Sequence, residues 1–184
     1  MVRKIAALIA LVGAMAGFMG AGSALAIPAT QQRVSQSINI SAPPDKVWGL
    51  IKNFNDMSWH PVVKSDTATN GNTVGSIRTL DLGGPKLIEA LTAYDEARKQ
   101  YKYKITDDPN NVKTLPVTKY SSTITVKAAP KGTTTVVWSG QFMRADNSPN
   151  PAAGQDDKAA IDAVTGVYKA GLDNIKKLAE TPAP

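Results

Sequence analysis

The sequence predicts an α+β fold: a curved antiparallel sheet of about seven strands wrapped around one long C-terminal helix, with two short helices after the first strand. Three observations predict it. Gln155 to Leu178 carries Ile161, Val164, Val167, Tyr168, Leu172, Ile175 and Leu178 at near-helical spacing, with Lys158, Asp162, Lys169, Asp173 and Lys177 on the opposite face. From Pro61 to Met143 the chain instead alternates apolar and polar residues in short runs, punctuated by Asn70-Gly71-Asn72, Gly83-Gly84-Pro85 and Pro130-Lys131-Gly132. An antiparallel sheet with one apolar face needs a cover, and no other segment after residue 26 could form so long a helix.

The elements follow in order. Arg33 to Ile40 reads as the first strand. Ser41 is expected to cap the next helix, with Pro43 or Pro44 in its first turn and Asp45 favourable there. Val47, Trp48, Leu50 and Ile51 give a short helix ending near Asn53. Asn55 to Trp59 reads as one more helical turn, stopped by Pro61. Strands are expected over Val62–Ala68, Val74–Leu82, Lys86–Tyr94, Arg98–Thr106, Val117–Ala128 and Thr133–Met143. Asp107–Thr114 reads as a polar loop and Arg144–Gly154 as a flexible connection. In the long helix, Asp156 and Asp157 near the start and Lys176 and Lys177 near the end suit the helix dipole. Gly166 and Gly171 cost helix propensity, so they mark either close packing on the sheet or room for a ligand.

The chain has 184 residues, which suggests one domain. Residues 1–26 read as a secretory signal peptide. Arg3 and Lys4 precede an apolar run, and Ala24-Leu25-Ala26 is a small-x-small cleavage signal. Residues 27–32 then form a flexible lead-in and 33–180 a single domain, with no membrane span after cleavage. There is no Cys, which excludes disulfides, thiolate metal sites and a Cys nucleophile, and suits a bacterial periplasm. The net charge is +6, of which Arg3 and Lys4 supply two. The remaining lysines form no run interleaved with aromatics, so nucleic acid is not expected as a partner. A modest basic surface could steer an acidic protein partner.

The segments INISAPPDKVWGLIKNF, SWHPVVKSD, YKYKI, LPVTKYSSTITV, TTTVVWSGQFM and VYKAGLDNIKK together resemble the polyketide cyclase/dehydrase branch of the START-like, Bet v 1-like superfamily (SRPBCC proteins). Within that branch the likeness is to periplasmic MxaD-like proteins of methanol oxidation systems. The resemblance covers about Val34 to Leu178. It implies a helix-grip fold with a cavity between sheet and helix. It also implies a non-enzymatic accessory role, assisting a periplasmic alcohol dehydrogenase to interact with its cytochrome c. Two alternatives stand beside it: a binder or carrier of a small apolar ligand, and a cyclase- or dehydratase-like enzyme. No catalytic set and no cofactor is implied.

Candidate cavity residues are Trp59, His60, Arg78, Glu89, Tyr101, Tyr103, Tyr120, Trp138, Phe142 and Tyr168. His60 is the only histidine, at the end of the second short helix. It is read as a structural or rim residue, a ligand contact or a base, and with no Cys and no carboxylate cluster it makes no metal site. Trp138 alternates with Val136 and Phe142 on the last strand, and Trp59 sits beside His60. Both are expected to line the cavity with the four tyrosines or to serve packing alone. Glu89 shares a face with Leu87 and Leu91, and Arg78 lies one hairpin away. They form either an ion pair inside the cavity or one at the surface. Gly83-Gly84-Pro85 resembles the gating-loop position of ligand-binding members of the superfamily and is equally an ordinary hairpin turn. No serine lies in G-x-S-x-G.

Overall fold

The structure is a computed structural model and describes residues 28–182. The signal peptide read over residues 1–26 lies outside the described residues. Seven strands form one antiparallel sheet: β1 (Gln32–Ile40), β2 (Ser65–Ala68), β3 (Ile77–Asp81), β4 (Lys86–Asp95), β5 (Gln100–Ile105), β6 (Val117–Ala129) and β7 (Thr133–Arg144). Their spatial order is β1-β7-β6-β5-β4-β3-β2, so the first strand joins the last and every other pairing is a hairpin. Three α-helices accompany them among the described residues: α1 (Pro44–Ile51), α2 (Asn111–Thr114) and α3 (Asp157–Glu180). The helix-grip arrangement expected from the sequence is therefore present, with α3 packed on β1, β7 and α1.

The period of two that predicted β7 is also its burial pattern. Thr134, Val136, Trp138, Gly140, Phe142 and Arg144 are buried, and the residues between them are not. On α3 the buried face runs through Ala160, Val164, Tyr168, Gly171, Leu172, Ile175 and Ala179. Leu178, expected on that face, is exposed; the i+4 step from Ile175 falls on Ala179 instead. The Asp156 carboxylate caps the helix by accepting a hydrogen bond from the Ala159 N–H at 2.7 Å.

Five local expectations are corrected. The second short helix is absent: Asn55–Trp59 forms two turns, closed by Asp56 N–H to Asn53 O and His60 N–H to Met57 O. Asp56 also accepts from the Ser58 N–H, so its side chain competes with helical pairing. Ser41 is not a cap: Pro43 holds that place, and the Ser41 N–H donates to Glu180 at 2.7 Å, tying α1's entry to the end of α3. Val62, Val63 and Val74 lie outside the strands expected to contain them. Pro61 delays β2, and Gly75, at a left-handed φ of 91°, turns the chain into β3. The polar loop before β6 contains α2, fixed by buried Asn111. Its Nδ2 donates to Thr106 O at 2.8 Å and its Oδ1 accepts from the Ile88 N–H at 2.9 Å. The connection after β7 is likewise tied down. Arg144 is buried and donates to Asp146 O and Ser148 O, both at 2.8 Å.

Candidate functional site

The space between the sheet and α3 is mostly filled by aromatic rings. Trp138 of β7 stacks on Tyr168 of α3, centroids 4.5 Å apart and planes at 14°. Trp59 and His60 close on the same indole, with centroids 5.7 and 5.9 Å from it. Such close approach needs small residues opposite. A Cβ on Gly171 would stand 2.6 Å from the Trp138 ring and 2.7 Å from His60, so Gly171 serves close packing. Gly166, by contrast, faces open space. A Cβ on Gly140 would stand 2.2 Å from the Tyr168 hydroxyl. That missing side chain admits the hydroxyl to the sheet.

The hydroxyl needs partners there, because burial without a hydrogen bond is costly. Tyr168 lies 2.8 Å from the Tyr120 hydroxyl and 2.9 Å from Ser122 Oγ. Trp138 Nε1 donates toward both Ser122 Oγ at 2.9 Å and the Tyr103 hydroxyl at 3.0 Å. Ser122 donates onward to Ser139 O. Burial holds the Tyr103 and Tyr120 phenols well above the usual value and pushes Tyr168 up to about 12. All three are neutral at physiological pH.

Beside this network is a buried ion pair. Arg78 and Glu89 face each other across β3 and β4, and Arg78 Nε donates to Glu89 Oε2 at 2.7 Å. The two side chains are 1% and 5% exposed, so of the two sites expected for the pair the interior one is found. The guanidinium also donates to Phe54 O at 3.2 Å and lies over the Phe54 and Tyr103 rings, 4.2 and 4.9 Å from their centroids. Glu89 holds Arg78 cationic above its ordinary value, although burial alone would lower it. Burial pushes the Glu89 carboxyl up, against the pull of the guanidinium. Oε1 of Glu89 makes no hydrogen bond among the described residues.

These groups end a cavity of about 60 Å³. On this measure one water needs about 10–15 Å³, so the cavity has room for a few heavy atoms. Its polar end is Arg78, Glu89, His60, Tyr103, Tyr120 and Trp138; Leu80, Leu82, Leu87 and Leu115 form much of the apolar wall. Six of the ten candidates therefore meet at one cavity. Trp59, Tyr101, Phe142 and Tyr168 do not line it. Trp59 packs behind His60, Tyr101 contacts Trp48 and Phe54, Phe142 stacks on Tyr120, and Tyr168 backs Trp138. The Tyr101 hydroxyl is buried with no hydrogen-bond partner of good geometry.

His60 is fixed at both ring nitrogens. Nε2 lies 3.0 Å from Val167 O, which it reaches as a donor, and Nδ1 accepts from the Val62 N–H at 3.4 Å. Burial, with a smaller push from Arg78, lowers its pKa below the usual 6.5, so the ring is neutral at pH 7. Among the described residues no three His, Asp or Glu gather as metal ligands. Thr114 and Leu115 also line the cavity, and Thr114 Oγ1 donates to Pro85 O at 2.9 Å. The Gly83-Gly84-Pro85 turn is thereby tied to α2.

Leu80, Leu82 and Leu87 were legible as wall residues, since they alternate in phase with Arg78 and Glu89. Ser122 and Gly140 carry no such signal singly. Only an isolated glycine within a strand pattern hints at close approach.

A family model described as polyketide cyclase / dehydrase and lipid transport matches residues 31–180. The chain belongs to this family. Among solved structures, an uncharacterised protein from Bacillus thuringiensis shares 31% identity at a TM-score of 0.67, covering 82% of this chain and all of that one. XoxI from Bacillus cereus shares 31% at 0.65, covering 80% and 94%. Norcoclaurine synthase from Thalictrum flavum, in complex with a transition-state analogue, aligns at 0.61 with 18% identity over 83% of this chain and 96% of that one, a likeness of fold alone. No curated protein matches. The family and these folds agree with the SRPBCC superfamily that the sequence resembles.

Proposed function

We propose that the protein is a non-enzymatic, periplasmic binder of a small molecule with one hydrogen-bonding head and a short apolar body. The observation that carries this is the Glu89 carboxylate in the cavity wall: Oε2 is taken by Arg78, and Oε1 has no partner among the described residues. An acceptor without a protein partner in the cavity wall favours a ligand that donates to it, and the leucine wall favours an alkyl remainder. The volume of about 60 Å³ limits the ligand to a few heavy atoms, far below the roughly 300 Å³ of drug-sized sites. His60 supports binding rather than proton transfer, since both its nitrogens are engaged by backbone. The test is a tryptophan-fluorescence titration with short-chain alcohols, amines and carboxylic acids. Saturable change is expected for ligands with a donor head, lost in Leu87→Phe, which fills the cavity. An unresponsive protein across the panel would sink the reading.

A second reading is favoured by how little space the rings leave. The chain then acts by contact, as an accessory that helps a periplasmic alcohol dehydrogenase meet its cytochrome c, like the MxaD-like proteins it resembles. Unchanged methanol oxidation and cytochrome c reduction after removal of the protein would count against it.

A further inference from the structure

The outer face of the sheet, turned away from α3, has a charge pattern unlike the rest of the molecule. The four adjacent strands β1, β7, β6 and β5 contain no Asp or Glu. They expose Arg33, Lys102, Lys104, Lys119 and Lys127. None of these five forms an ion pair among the described residues.

Strand register places the cations around a hydroxyl floor. One row across the sheet reads Arg33, Gln141, Ser121, Lys104; the next reads Ser35, Ser139, Thr123, Lys102. At about 4.8 Å per strand, the cations at the ends of the first row are roughly 14 Å apart along the sheet. The Ser35, Ser121, Thr123 and Ser139 side chains make no hydrogen bond among the described residues. The long cationic side chains and short hydroxyls enclose a shallow trough of about 270 Å³, bounded by Arg33 and Lys102. Two of its lining residues, Thr92 and Ser121, stand at the bulges that break the ladder between Leu91 and Ala93 of β4 and between Thr118 and Ser121 of β6.

We infer that this face docks a protein partner through a carboxylate-rich surface. Carboxylates complement both components of the trough: they accept from the free hydroxyls and offset cations that lack a counter-charge. A protein occupant fits better than a lipid surface, because none of the exposed large apolar residues (Val62, Val74, Val112, Leu178) lies on these strands to insert. The face is on the opposite side of the sheet from the cavity, so the inference stands whether or not the cavity binds a ligand. Electrostatic docking of this kind is fast, salt-sensitive and undemanding of apolar area.

The test is fluorescence anisotropy of labelled poly-L-glutamate with the exported chain, alongside phosphatidylglycerol vesicles. Poly-L-glutamate should bind at about 20 mM salt and weaken severalfold by about 150 mM, as screening shortens to about 8 Å. Lys102→Glu with Lys104→Glu should weaken it at least about tenfold. Lys169→Glu with Lys177→Glu, the same charge change on exposed α3 positions, should alter it less than about threefold. Equal loss in the two double variants would reduce the effect to net charge and overturn the inference, as would absence of binding at low salt. Vesicles binding more tightly than poly-L-glutamate, with the same dependence on Lys102 and Lys104, would replace the protein partner with a membrane and also overturn it. Unchanged melting temperatures establish that the variants fold.

Discussion

Replacing Gly140 by Ala should destabilise the protein, and Tyr168→Phe should remove most of that penalty. The Ala methyl would sit 2.2 Å from the Tyr168 oxygen and 3.1 Å from Ser121 O, but 3.4 Å from the phenol carbon that bears the hydroxyl. The ring cannot retreat easily, being stacked on Trp138 at 4.5 Å. Overpacking of this kind costs about 1–3 kcal/mol. Displacing the hydroxyl forfeits its bonds to Tyr120 and Ser122, at about 1 kcal/mol each. Against this, Ala gains roughly 0.5–1 kcal/mol over Gly within a strand. The net for Gly140→Ala is about 2–4 kcal/mol. Tyr168→Phe alone loses the same two hydrogen bonds, about 1–2 kcal/mol, because Ser122 keeps Ser139 O and Trp138 as partners. In the double variant the oxygen is gone and the nearest ring atom is at ordinary contact distance. Its stability should match Tyr168→Phe within about 0.5 kcal/mol, a coupling of roughly 2 kcal/mol or more. Urea denaturation of the four proteins at constant m measures this directly. Additive effects would mean that the methyl and the hydroxyl do not compete for one space, and the reasoning about the ring stack would be wrong.

Three further outcomes are expected. Glu89→Gln leaves Arg78 buried without its counter-ion and should cost about 3–5 kcal/mol, whereas Arg78→Met with Glu89→Leu should cost far less; urea midpoints decide. His60 is held below its usual 6.5 chiefly by burial, so its contribution is complete above that pH and is lost as pH falls through the lower folded value. The melting temperature of the native protein should therefore drop more than that of His60→Gln as pH falls below about 6.5, the difference removing carboxylate contributions common to both. On α3, Gly166→Ala should stabilise by up to about 1 kcal/mol. Gly171→Ala, which meets Trp138 and His60, should destabilise by about 1–3 kcal/mol and alter the near-UV circular dichroism.

The fold was readable because its two periods are clean. Alternation along Thr133–Met143 became the burial pattern of β7, and the spacing from Ile161 to Ile175 became the buried face of α3. Strand phase made Arg78 and Glu89 readable as a pair, but not whether the pair lay inside the cavity or at the surface; packing decides that, and it is inside. In three of the places where the reading failed, a side chain had captured a backbone group. Asp56 unmade the second short helix, Asn111 built α2 from an apparent loop, and Glu180 took the Ser41 N–H. The cavity was legible in its residue types but not in its volume. Whether a cavity is open depends on how rings far apart in sequence stack, and the Trp138–Tyr168 and Tyr120–Phe142 stacks are not periodic features. They close most of the space that a curved sheet over one helix would otherwise leave.

The most direct test of small-molecule binding is native mass spectrometry of the chain, isolated without denaturant from the organism that makes it, beside the Leu87→Phe variant. The expected result is a mass above that of the polypeptide by one small molecule of a few heavy atoms, absent from the variant. A native protein at the bare polypeptide mass, with the same spectrum as Leu87→Phe, would contradict it and leave the small cavity as a packing feature of a protein that works through its surface.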